Sequence, residues 1–198
     1  MTRWAPGTPE RLQEAALALF ADRGYEQTTA ADIARSVGVT ERTFFRHFSD
    51  KREVLFEGQR QLTEAFVSGA TSAPADTPPL EIVAGALRAA AAVFPDGRRP
   101  YARARQAVIE RNPALQEREL HKLAGLAATL TESLRARGVA PLTAALAARS
   151  GITVFGLAFT QWIAEGEERS FEAVTEHTLT ELLTLTAGAA GAARRDEG

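Results

Sequence analysis

Residues 28–56 read TTAADIARSVGVTERTFFRHFSDKREVLF, and their spacing predicts two short helices joined by a tight turn, with a third helix starting behind them. The first helix, over about 30–37, turns Ile33, Ala34 and Val37 inward, and Gly38 supplies the backbone freedom that a sharp helix exit requires. Thr40 stands where it can cap the second helix, over about 41–47, in which Phe44 and Phe48 share one face at i, i+4. That pairing leaves Glu41, Arg42, Thr43, Phe45, Arg46 and His47 pointing outward.

A helix-turn-helix lays the start of its second helix against base edges in the major groove, which calls for long or hydrogen-bonding side chains at those outward positions. They are present. From Arg35 to Arg52 the chain carries five cations (Arg35, Arg42, Arg46, Lys51, Arg52) against two anions (Glu41, Asp50), while the whole chain has a formal net charge of -2. Positive charge is therefore concentrated where phosphate contact would occur, and a nonspecific nucleic-acid coat, which needs a broadly basic surface, is disfavoured.

The remaining composition narrows the classes further. A chain of 198 residues with 45% apolar content can bury a core, and the absence of cysteine excludes disulfides, thiolate metal sites and thiol nucleophiles. The first ten residues contain no apolar leader, and the stretch from Ile152 to Ala164 is shorter than the roughly 20 residues that cross a bilayer. A cytoplasmic location without membrane insertion is the expectation. His121 and His177 stand far apart without carboxylates at ligand spacing, so neither a metal nor a cofactor is expected.

Apolar residues recur at three and four spacing along nearly the whole chain, and no alternating or β-branched run is long enough for a strand, so the fold class is all-α. The first helix is expected to start at Thr8-Pro9-Glu10, with Thr8 as cap, and to end before Gly24, with Leu12, Ala16, Leu19 and Phe20 inside and Tyr25 packed beneath the turn. A fourth helix is expected from near Asp50, burying Val54, Leu55, Leu62 and Phe66, and Gly69–Pro79 reads as a connection. Further helices are predicted at about 80–94, 98–111, 114–137, 142–165 and 170–188, and the stretch from Gly188 onward lacks large apolar groups and should fray. The expected division is residues 1–55, a three-helix helix-turn-helix domain, and 56–198, a helical domain for ligand binding and dimerisation.

Residues 8–66 resemble the TetR family of bacterial one-component transcription regulators, whose pattern is Thr-Thr-x-x-x-Ile-Ala-x-x-x-Gly-Val-Ser-x-x-x-Leu/Phe-Tyr-x-His-Phe-x-x-Lys. Here it is met by Thr28, Thr29, Ile33, Ala34, Gly38, Val39, Thr40, Phe44, Phe45, His47, Phe48 and Lys51, and the downstream helices fit the family's plan of about nine. The resemblance implies that Thr28 or Thr29 and Thr40 touch phosphates at helix starts, that Arg42 and Thr43 face bases, and that Lys51 and His47 clamp the backbone. Glu41 and Arg46 complete the expected DNA-binding set. Phe45 replaces the usual tyrosine, so this position can pack, for instance on a thymine methyl, without donating to a phosphate. Arg42 stands where glycine is frequent, and a guanidinium there can read guanine in a bidentate manner. Arg3 and Trp4 could form a minor-groove arm, although an unstructured terminus is the simpler reading.

The last two helices carry more apolar surface than one monomer needs: Ile152, Val154, Phe155, Leu157, Ala158, Phe159, Trp162 and Ile163 on one, Val174, Leu179, Leu182, Leu183 and Leu185 on the other. A two-fold operator asks for a two-fold protein, so these helices are read as a four-helix homodimer interface, with Ala144, Ala145, Ala147, Ala148, Gly151 and Gly156 permitting close approach; an ordinary buried core helix fits the same pattern. Phe94, Tyr101, Arg105, Ile109, Phe155, Phe159 and Trp162 mix aromatic walls with polar tips, and the family resemblance makes them the expected pocket for an unidentified small-molecule effector. The implied function is that of a homodimeric repressor on a palindromic or pseudo-palindromic double-stranded DNA operator, released when the effector acts through the fourth helix. A catalytic role finds no metal motif, phosphate loop or nucleophile arrangement, and a protein-interaction module using the last helices is the remaining rival.

Overall fold

The computed structural model describes the backbone of residues 7–193 and side chains through residue 185; Arg3 and Trp4 lie outside the described residues. Among the described residues there are nine α-helices and no strand. They form two compact units. The first comprises residues 1–59 and 101–120, the second 60–100 and 121–198.

In the first unit, α1 (Thr8–Arg23), α2 (Ala30–Ser36) and α3 (Glu41–His47) close over one apolar cluster. Leu12, Ala16 and Phe20 of α1 meet Ile33 and Ala34 of α2 and Phe44 of α3, with Phe48 behind them, all at the recurrences that the helical period dictates. Burying each of these large side chains contributes about 1.5–3 kcal/mol. Tyr25 is buried against the edge of Phe20, with ring centroids 5.1 Å apart. The helix cap falls one residue earlier than expected: Gly7 is the N-cap and makes no side-chain cap bond, while Thr8 and Pro9 occupy the first turn.

The fourth helix does not begin near Asp50. Asp50 instead accepts the amides of Arg52 (2.7 Å) and Glu53 (3.1 Å) and starts a short 3₁₀ turn, Arg52–Leu55; α4 (Gln59–Thr71) begins beyond Gly58. The carbonyl of Leu55, which a continuous α-helix would use internally, accepts Arg105 Nε at 2.7 Å. The same unit also takes in residues of α6 (Arg99–Glu110) and of α7 (Pro113–Ala136), and Val108, Ile109 and Leu115 complete its core.

The second unit packs α5 (Pro79–Ala91), α8 (Pro141–Trp162) and α9 (Phe171–Ala193) against one another. Gly69 lies inside α4 rather than in the connection, and α5 packs directly against it. A Cβ on Gly69 would stand 2.6 Å from both the Gly85 carbonyl oxygen and Ala86 Cα. At Gly151 of α8 a Cβ would stand 2.4 Å from Val83 Cγ1, and Ala144, Ala147 and Ala148 are buried beside it. Ala144, Ala147, Ala148 and Gly151 are thus spent within the chain, while Ala145 is half-buried and a Cβ on Gly156 would meet no neighbour.

By length and composition α8 is long and apolar enough to cross a membrane, longer than the run read from the sequence. Its buried residues pack within the second unit, as in the core helix of a globular fold. α9 is helical to Ala193, past the point where fraying was expected, and residues 194–198 lie outside the described residues.

Candidate nucleic-acid interface

The turn between α2 and α3 is built from backbone bonds that only a left-handed residue permits. Gly38 has φ 75°, and around it Val39 N donates to Ala34 O (3.0 Å) and Gly38 N to Arg35 O (3.1 Å), closing a Schellman motif. Arg11 reaches from α1 and donates from Nη2 to Val37 O at 2.7 Å, pinning the end of α2. No sequence pattern announced Arg11; its partner lies 26 residues away.

Both helices are capped by threonine. Thr29 and Asp32 form a capping box at the start of α2: Asp32 N donates to Thr29 Oγ1 (3.1 Å) and Thr29 N to Asp32 Oδ2 (3.1 Å). The Thr29 hydroxyl also donates to Asp32 Oδ2 at 2.6 Å, and these two Thr29 bonds hold the Asp32 carboxyl below its ordinary pKa. Thr40 accepts Thr43 N at 3.2 Å, and the two hydroxyls lie 3.1 Å apart. Thr29 and Thr40 remain exposed at their helix starts.

Thr28 differs from its neighbour. It is buried, and its hydroxyl donates to Gly24 O at 2.9 Å, stitching the end of α1 to the start of α2. Lys51 is also engaged: Nζ donates to Tyr25 O at 2.7 Å and sits 4.1 Å from the centre of the Tyr25 ring. Burial pushes the Tyr25 phenol up to about 12, so it stays neutral beneath the ammonium.

On α3, Phe44 is fully buried while Glu41, Arg42, Phe45 and Arg46 are exposed. Arg42 and Arg46 make no hydrogen bond or ion pair among the described residues. Phe45 is 49% exposed, its ring edge-on to Phe44 with centroids 5.4 Å apart. Thr43 is half-buried, and so is His47, whose Nε2 is buried without a partner among the described residues. A short, capped helix thus presents two unspent guanidiniums and an apolar ring to solvent, an arrangement suited to base edges and phosphates.

The residues expected to form an effector pocket divide between the units. Tyr101, Arg105 and Ile109 belong to the first. There Ile109 is core, Tyr101 packs against that core, and Arg105 bonds to Leu55 O and Glu119 (3.0 Å) over the Phe56 ring. Phe94, Phe155, Phe159 and Trp162 belong to the second, where they pack together with Phe66 and Phe171. Sequence spacing gave no sign of Phe171, which enters from the start of α9.

A helical chain bearing a capped helix-turn-helix with an exposed cationic face falls in the class of helix-turn-helix regulators. Residues 12–57 match the family model described as bacterial regulatory proteins, tetR family. Over 90 residues the chain is 42% identical to the HTH-type transcriptional regulator TcmR of Streptomyces glaucescens, covering 46% of this chain and 40% of that one. It is 34% identical over 67 residues to the HTH-type transcriptional repressor KstR2 of Mycolicibacterium smegmatis, covering 30% and 33%. The matched stretches therefore span two fifths or less of these relatives' length. The fold as a whole is shared with FadR from Bacillus subtilis, a transcriptional regulator solved in complex with stearoyl-CoA: TM-score 0.60, 20% identity, 86% of this chain and 95% of that one. Residues 12–57 are thus similar to the DNA-binding region of the tetR family of bacterial regulatory proteins.

Proposed function

We propose that the protein is a homodimeric repressor that binds a palindromic or pseudo-palindromic operator through α3 of each subunit and is released by a small-molecule effector held in its second unit. The observation that carries this reading is the outward face of α3, where Arg42 and Arg46 are exposed and unspent on a helix fixed by the Thr40 cap and the buried Phe44. Arg42 and Thr43 would read bases, and Phe45 would pack in the groove. Arg46, His47, Thr29 and Thr40 would meet phosphates, with Glu41 at the helix start. Thr28 and Lys51, already bonded within the unit, would hold the frame.

Two-fold operators match two-fold proteins, with recognition helices about 34 Å apart. Apolar surface for pairing is available on the last two helices: Leu142, Leu146 and Leu157 of α8 are 73%, 60% and 60% exposed, and Leu183 and Leu185 of α9 are also exposed. The first and second units are joined in sequence at 59–60, 100–101 and 120–121. Effector binding would act through α4, which follows the first junction. A coupling of about 1–3 kcal/mol would change operator affinity 5- to 150-fold. Repression is favoured over activation by the named role of KstR2, and a cytoplasmic location follows from DNA binding.

Selection of binding sites from genomic fragments, followed by fluorescence anisotropy on the enriched sequence, tests the proposal. Recovery of a two-fold site bound by a dimer supports it; retention of a monomer with no sequence preference overturns it.

A further inference from the structure

The second unit contains a cluster of rings, one of which, Phe94, stands outside the helices that carry the others. Phe94 lies 4.9 Å from Phe171, 5.7 Å from both Phe155 and Phe159, and 6.0 Å from Trp162, measured between ring centroids. The other four stand on α8 and α9, whereas Phe94 belongs to the non-helical link between α5 and α6 and is only half-buried. Withdrawing Phe94 would leave a slot walled by aromatic faces and edges. Such walls favour a flat aromatic guest, whose ring faces and edges gain attraction beyond area burial.

One end of this cluster has donors to spare. Trp162 is fully buried, and its Nε1 has no partner among the described residues; the same holds for the buried Nε of Arg99. The two groups are neighbours, with the guanidinium carbon 5.3 Å from the centre of the indole ring. Arg99 is not free to turn toward solvent, because Nη1 donates to Glu167 O and Nη2 to Arg169 O and to Asp96 Oδ1 (2.9 Å). Unsatisfied buried donors are costly, and phenylalanine in place of Trp162 would fill much of the space without that cost. Asp96 already balances the guanidinium charge, so an added carboxylate would be buried without a counter-charge of its own. These two donors suit a neutral acceptor oxygen.

We propose that the second unit binds a flat, neutral aromatic ketone, its rings replacing Phe94 among Phe155, Phe159 and Phe171 and its carbonyl oxygen accepting from Trp162 Nε1 and Arg99 Nε. This deepens the effector reading above and rests on it. Phe94 then acts as a built-in placeholder for the guest.

Fluorenone and fluorene share one ring skeleton and differ by carbonyl against methylene, which makes them a matched pair of probes. In the full-length chain carrying Trp4→Phe, Trp162 is the only remaining tryptophan, and its fluorescence reports binding of either probe. Fluorenone is expected to bind at one site per chain at least 10-fold more tightly than fluorene. Trp162→Phe, read by titration calorimetry, should abolish that preference while leaving the melting temperature equal or higher. Phe94→Ala should tighten both probes. Equal affinity for the pair, a preference that survives Trp162→Phe, or no binding of either probe even to Phe94→Ala overturns the proposal. Operator affinity measured alongside separates the two readings. Fluorenone bound as described but without effect on DNA affinity would remove the effector role and leave the site. Release of DNA by another small molecule, with no fluorenone binding, would do the reverse.

Discussion

Lys51→Met distinguishes a residue that braces the DNA-reading unit from one that grips the DNA. In the structure Nζ donates to Tyr25 O at 2.7 Å and lies 4.1 Å from the Tyr25 ring centre, tying the 3₁₀ turn at Arg52–Leu55 to the loop after α1. A hydrogen bond from a charged donor is worth about 1.5–3 kcal/mol and a cation–π contact at an exposed site about 0.5–1 kcal/mol. Lys51 is half-exposed, so solvent screening reduces that sum, and methionine retains the packing of the stem. The expected loss is about 1–2 kcal/mol. For a chain of this size that corresponds to a fall of roughly 2–8 °C in melting temperature by differential scanning calorimetry. The slope of log affinity for the operator against log salt should stay unchanged, because the ammonium is spent inside the protein. A phosphate clamp would behave in the opposite way: unchanged melting temperature and a slope smaller by about 0.9. That pair of results would refute the bracing role.

Arg42→Ala should relax preference at one base pair by about 1–3 kcal/mol, read by anisotropy on operators substituted singly at each position. Thr28→Val keeps the shape but deprives Gly24 O of its donor; a loss of about 1 kcal/mol in urea unfolding is expected, with the salt slope of DNA binding unaltered. Asp32 has a lowered pKa in the folded chain, so its stabilising effect is present above the unfolded carboxylate range and disappears as pH falls through the folded value. The melting-temperature gap between wild type and Asp32→Ala should therefore be widest near neutral pH and narrow as pH falls below the ordinary carboxylate range.

Most of the first unit was legible because its signals are local. The Thr29 and Thr40 caps, the left-handed Gly38 and the Phe44–Phe48 pair all act within a few residues, and helix spacing exposes them directly. What escaped was tertiary. Arg11 on Val37 O, Lys51 on Tyr25 O and Arg105 on Leu55 O join residues 26, 26 and 50 positions apart. The last of these helps explain why the chain leaves the helix at Leu55 instead of running on from Asp50. Thr28 and Thr29 are identical in sequence and opposite in role, since one hydroxyl turns into the core and the other caps a helix.

The second unit was legible in helix count and in its apolar excess but not in partners. Periodicity cannot tell which apolar face meets which. Tyr101, Arg105 and Ile109 followed the same aromatic and polar pattern as Phe94, yet they serve the core of the first unit. The run of small residues on α8 read as a surface for a second subunit, whereas Gly151 is taken up by Val83. The exposed leucines at 142, 146 and 157 lie on the face left over.

On the function proposed, α3 reads DNA sequence as part of a two-fold assembly. Sedimentation of the purified chain with a labelled, genomically selected operator tests it most directly. Two chains per operator are predicted, with affinity at least about 10³-fold above that for a scrambled duplex at the same salt. Binding of one chain, or equal affinity for both duplexes, would contradict it.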